Sequence, residues 1–188
     1  MAAAPTATKI MIIRHAEKPT TSGEPFGITA EGDQDVESLT IRGWQRAGAL
    51  ACFFAPTQGP LQSAELATPG FLFGSESKSG GGSERPVETI APLASKLGLT
   101  PKTHKKSDTD KVAGDAMICG GIAHICWQHE LIPSIANVIV GNTTTVPQQW
   151  PGARFDIVWV FDLNPSTGSY SFAQVAQLLL AGDSAELI

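Results

Sequence analysis

Five arginines (Arg14, Arg42, Arg46, Arg85, Arg154) and four histidines (His15, His104, His124, His129) among 188 residues are few enough to follow singly. Arg14 and His15 stand side by side in KIMIIRHAEKP, residues 9 to 19. Arg85 comes between a Gly-rich stretch and Pro86, and His129 is followed directly by Glu130. A guanidinium fork matches a phosphate in two-pronged contact, as lysine does not. A neutral imidazole can attack phosphorus in line, and a carboxylic acid can protonate the departing alcohol and then, as carboxylate, activate water. Phosphoryl transfer needs positioning and positive charge more than bond-making by the protein. With two arginines and a second histidine to neutralise the charge, no metal and no cofactor is expected.

Such groups act together only if the chain brings them to one edge. Ile10 to Ile13 is a short apolar run that reads as a strand buried on both faces of a parallel sheet, with Arg14 and His15 at its carboxyl end, where open α/β sheets bind ligands. IAHICW, residues 122 to 127, is a second such strand, and it runs into Gln128, His129 and Glu130. FDIVWVFDL (155 to 163) predicts a third, followed by the turn NPSTG and a return strand SYSFAQVAQ. Arg85 should enter at a helix start, where unpaired N–H groups and the helix dipole favour anions.

Helices are expected over IRGWQRAGALACFF, capped by Thr40, over the stretch from Pro86 to Gly98, with Pro92 kinking or dividing it, over Lys111 to Cys119, and over IPSIANVIV up to Gly141. Residues 18 to 36 and 100 to 110 read as polar loops, residues 74 to 84 as a flexible linker, and Leu66 to Thr68 as a short strand. Strands alternating with helices predict a single α/β domain over 1 to 188, a three-layer sandwich around a mostly parallel sheet.

The composition is that of a globular protein, 42% hydrophobic and 16% charged. A net charge of -5 argues against nucleic-acid or anionic-membrane surfaces as partners, so anion binding must be local. Cys52, Cys119 and Cys126 lie in apolar segments and read as reduced core residues. With no apolar stretch long enough to span a membrane and no leader pattern in MAAAPTATK, the expected location is cytoplasmic.

Four ordered motifs carry a resemblance. IIRHAEKP, LTIRGWQRA (39 to 47), RPVET (85 to 89) and the late histidine of ICWQHE are similar, in that order, to the signatures of the histidine phosphatase superfamily, the phosphoglycerate mutase-like fold. The resemblance implies a metal-independent phosphohydrolase working through a phosphohistidine at His15. Arg14, Arg85 and His129 would hold the phosphoryl group of a small phosphorylated substrate or phosphoprotein. One branch of the family has a glutamate after the second arginine, and THKKSDTDKVAGD here has none. The other branch has an acidic residue directly after the second histidine, so Glu130 is the first choice of proton donor, Asp108 and Asp110 the second, and Glu17 the third. A phosphoglycerate mutase-type phosphotransferase and a non-catalytic phospho-ligand binder are the alternatives.

The remaining conspicuous residues have plainer expected roles. Arg42 and Arg46 should be solvent-exposed unless either braces the pocket, which the family resemblance places near their helix; His124 should be an inert strand residue, and His104 part of a solvated loop with Lys105 and Lys106 that could help steer an anion. Trp127 and Trp159 should be core.

Overall fold

The computed structural model describes residues 4–20, 23–76 and 83–188. Its sheet has six strands: β1 (Lys9–Arg14), β2 (Phe71–Ser75), β3 (Lys102–His104), β4 (Ile122–Trp127), β5 (Ile157–Asn164) and β6 (Ser169–Ala176), in the order β3-β2-β4-β1-β5-β6. The four strands from β3 to β1 run parallel, whereas β5 and β6 are antiparallel to their neighbours. Four helices flank it: α1 (Ile41–Phe54), α2 (Arg85–Leu97), α3 (Thr109–Met117) and α4 (Ile132–Val140).

Strand periodicity divides the core. Met11 and Ile13 of β1 join Leu50, Phe54, Ile90 and Leu93 of α1 and α2 on one face. Ile10 and Ile12 join Val112, Ala116, Ile135 and Trp159 on the other, under α3 and α4. The result is a three-layer α/β sandwich. All four apolar residues of β1 are fully buried, at about 1.5–3 kcal/mol of hydrophobic stabilisation each, so this strand is the rigid centre from which Arg14 and His15 emerge.

Helix ends follow the sequence. Thr40 Oγ1 accepts a hydrogen bond from the Gly43 N–H and caps α1. Gly98 and Gly141 close α2 and α4 in the left-handed conformation.

Several expectations are corrected. The strand placed at Leu66 to Thr68 forms instead at Phe71–Ser75, past Pro69 and Gly70; Leu66 is a buried loop residue anchoring the α1 and α2 face. Gly74 and Ser75 therefore belong to β2 and not to a linker, and residues 77 to 82 of that proposed linker lie outside the described residues. The 100 to 110 stretch contains β3, whose polar KTH sequence suits an edge strand exposed along one side. Pro92 does not divide α2, because the Ile90, Leu93 and Ala94 face is buried on both sides of it. Cys52 is exposed on α1; Cys119 is half-buried and only Cys126 is fully enclosed, and all three are free thiols. No helix among the described residues is long and apolar enough to cross a membrane.

Candidate active site

Register brings the chemistry together. Parallel pairing sets Arg14 opposite Trp127, and the His15 N–H donates to the Trp127 carbonyl at 3.0 Å, extending the ladder past the strand. Gln128 and a 3-10 turn, His129–Leu131, follow β4 directly. At the same edge, Ser75 ends β2 and accepts a 2.7 Å hydrogen bond from Gln128 Nε2. His15, Arg85, His129 and Glu130 line one cleft of about 450 Å³, together with Lys18, Glu37, Glu76, Ser83, Lys106 and Gln128.

His15 is 3% exposed. Its Nδ1 lies 2.8 Å from the Ala16 carbonyl, which can only accept, so Nδ1 carries the proton and Nε2 the lone pair. Burial, helped by the charges of Arg14, Arg85 and Lys18, lowers its pKa to about 3, although the Ala16 bond opposes this. The imidazole is therefore neutral at physiological pH. Ala16, beside His15, is wholly buried with Leu39 and Ala47. Its N–H donates to Thr89 Oγ1 at 2.8 Å, and Thr89 Oγ1 donates to the Arg85 carbonyl at 2.6 Å. One hydroxyl thus couples the loop after His15 to the first turn of α2.

Arg14, directly before His15, is 1% exposed and is not among the residues that line the cleft. Its Nη1 donates to the Gly152 and Arg154 carbonyls, and the guanidinium lies 3.7 Å from the centre of the Phe155 ring. Nε and Nη2 are buried without a partner, the donors that a phosphoryl oxygen would satisfy. Burial lowers the Arg14 pKa to about 10, with Glu130 and Glu17 opposing, and the group stays charged. Arg85 spreads over residues 36 to 38, donating from Nη2 to the Val36 carbonyl, from Nε to the Ser38 carbonyl and from Nη1 to Ser83 Oγ, with Glu37 at 3.4 Å.

His129 has its pKa lowered by burial and then by Arg14, with Glu130 opposing. Its Nδ1 is 3.0 Å from Glu130 Oε2, without the alignment of a hydrogen bond. Burial would raise the Glu130 pKa, but the 2.6 Å contact with Lys106 and the nearness of His129 bring it below the ordinary value. Glu130 is therefore a carboxylate at rest.

The other proposed acids are elsewhere. Asp108 and Asp110 sit at the start of α3 and do not line the cleft. Glu17 also stays outside it, engaged by Arg46 Nε and Nη2 and by Arg42 Nε. Arg46 is not solvent-exposed: it is 2% exposed and bridges Glu17 to Asp183 at 2.7 Å. Arg42 is half-exposed, and its Nη2 also donates to the Ala181 carbonyl. His104 is not in a solvated loop: it lies buried in β3, stacked on Phe73, with Asp115 at 3.4 Å. Lys106 alone of that basic stretch reaches the cleft. His124 is fully buried against the edge of Phe54. Trp127 and Trp159 are core.

Sequence reasoning missed Lys18, Glu37, Glu76 and Gln128. Lys18 and Gln128 each lie within three residues of a motif histidine and were within reach of the same argument. Glu76 follows β2 directly, and the misplaced strand hid it. Among the described residues no group of three or more His, Cys, Asp or Glu side chains is gathered to hold a metal ion.

No protein-family model matches the sequence, and no curated protein matches it. Solved structures do match over nearly the whole chain. A candidate phosphohistidine phosphatase, SixA, from Agrobacterium tumefaciens superposes with a TM-score of 0.54 at 13% identity, covering 90% of this chain and 98% of its own. The chain has the fold of the histidine phosphatase superfamily. A mycobacterial glucosyl-3-phosphoglycerate phosphatase matches it at TM-score 0.52 and 12% identity, with 90% of this chain and 98% of the other covered. A candidate alpha-ribazole-5′-P phosphatase from Escherichia coli does so at 0.51 and 12%, with 90% and 96% covered. The histidine phosphatase fold puts the carboxyl ends of β1, β2 and β4 around the cleft described above.

Proposed function

We propose that the protein is a phosphohydrolase that cleaves a phosphomonoester or phosphoprotein through a phosphohistidine at His15. The observation that carries this reading is the His15 ring itself, held neutral by burial, with its Nδ1 proton committed to the Ala16 carbonyl and its Nε2 lone pair left for attack. Arg14, Arg85 and His129 bind and polarise the phosphoryl oxygens. In the first step the Nε2 lone pair forms a P–N bond as the P–O bond to the alcohol breaks, and the alcohol oxygen takes a proton. In the second, water forms the new P–O bond, the P–N bond breaks and returns its electrons to Nε2, and a carboxylate takes the water proton. Glu130, held ionised beside Lys106, suits this second role. Glu76, whose side chain has no hydrogen-bond or ion-pair partner among the described residues while its N–H donates to the His104 carbonyl, is the cleft carboxylate left to donate in the first. The charge is neutralised by protein cations throughout.

Turnover of phenyl phosphate tests the reading. Wild type is expected to hydrolyse it with or without chelator, and His15→Ala is expected to lose it. The specific observation favouring a phospho-ligand binder is the ionised state of Glu130, the acid expected from sequence. Tight phosphate binding without turnover of any ester would establish that reading instead.

A further inference from the structure

We infer that the substrate is the phosphomonoester of an uncharged, apolar alcohol, whose carbon skeleton lies in a groove beside the phosphate cleft; this rests on the catalytic reading above. The groove, about 800 Å³, runs under the connection between β1 and α1, with Lys18, Pro25, Phe26, Ile28, Ile41 and Phe155 among its walls. It meets the cleft at Lys18. Lys18 lines both, and Phe155 has one side against the Arg14 guanidinium, 6.3 Å from the His15 ring, while also forming a groove wall.

Two further features define what fits. Phe26 and Ile41 are 45% and 63% exposed, large apolar side chains standing open in the groove wall. Charge supplies the other. Around the cleft Lys18, Arg85 and Lys106 are matched by Glu37, Glu76 and Glu130. In the groove Arg42 is bonded to Glu17, and Glu24 faces the same space. Once a phosphoryl group has taken Arg14 and Arg85, no surplus positive charge is left for a second anion among the described residues. A phosphoglycerate-like substrate, with a carboxylate near its phosphate, is disfavoured, and an aliphatic or aryl alcohol is accommodated.

Straight-chain alkylphosphonates from methyl to octyl, titrated calorimetrically, read the groove without needing turnover. Affinity is expected to rise two- to about fourfold per methylene until the groove is filled, and 3-phosphonopropionate to bind more weakly than propylphosphonate. The double variant Phe26→Ser/Ile41→Ser should flatten the series and leave methylphosphonate affinity within about twofold. Ile118→Ser, an exposed apolar site elsewhere, should change nothing. A flat wild-type series, a preference for 3-phosphonopropionate, or a slope unaffected by the double variant overturns the inference. So does a phosphohistidine peptide hydrolysed faster than any alkyl ester by wild type and double variant alike. A steep series without phenyl phosphate turnover would leave the groove standing and remove the catalytic reading. Turnover with a flat series would do the reverse.

Discussion

Thr89 is the residue whose removal separates positioning from binding most cleanly. Its hydroxyl takes the Ala16 N–H and gives its own proton to the Arg85 carbonyl, so it touches no reacting atom yet sets the loop that carries His15. Thr89→Val leaves a buried N–H unpaired, a cost of about 1–3 kcal/mol. Steady-state kinetics should show kcat reduced by about 5- to 150-fold with KM little changed, and Thr89→Ser should restore most of it; an equal loss in both variants would remove Thr89 from this role. The two carboxylates divide by half-reaction. Glu76→Gln is expected to slow alkyl phosphates far more than aryl phosphates, because only the poorer leaving group needs a proton. Glu130→Gln is expected to slow breakdown of the phosphoenzyme, seen as a burst of alcohol followed by a slow phase. The reverse pattern would exchange their roles. At this scale the sequence singled out His15, Arg85 and His129, which line the cleft, and Arg14 at the end of β1, because strand ends and a helix start announce them. It misassigned Glu17 and Arg46, because a pairing across 29 positions leaves no local mark on either.

At the scale of elements, α1 is held against the segment that follows His15. A Cβ at Gly43 would lie 2.5 Å from the Glu17 carbonyl oxygen, so only glycine lets the helix approach this closely. Gly43→Ala should lower the melting temperature by a few degrees to about 10 °C in calorimetry, since overpacking of this kind costs about 1–3 kcal/mol. Arg46, on the same helix, ties Glu17 to Asp183, whose pKa is about 2: burial would raise it, but Arg46 and the Leu179 and Leu180 N–H groups pull it down. Asp183→Asn leaves Arg46 short of a buried partner and should cost about 3 kcal/mol by denaturant unfolding. Helix boundaries were legible because caps and stops are local chemistry: Thr40, Gly98 and Gly141 behave as their types predict. The edge strand β3 was not, because KTH owes its conformation to β2 beside it and not to its own composition.

Over the whole molecule, two buried histidines link folding to pH. Burial lowers His15 and His124 from an ordinary 6.5 to about 3 each. Both are neutral when folded, while the unfolded chain takes up their protons below pH 6.5. Stability is therefore fully present above pH 6.5 and is lost as pH falls towards 3, by up to about 1.4 kcal/mol per pH unit for each histidine. His124→Leu should roughly halve that slope in urea unfolding between pH 6 and 4; an unchanged slope would show that carboxylates alone set it. The sandwich was predictable as a whole, since alternating buried strands and amphipathic helices leave few other arrangements. That β5 returns antiparallel beside β1 was not, because pairing direction is decided by which edge is free.

The proposed reaction turns on the bond between His15 Nε2 and phosphorus. Rapid acid-free quenching of the protein with a ³²P-labelled aryl phosphate, followed by peptide mapping and ³¹P NMR, should find acid-labile, alkali-stable phosphate on His15 at Nε2. The label should be absent from His15→Ala and accumulate in Glu130→Gln. No label during steady turnover, or label on another residue or on Nδ1, would contradict it.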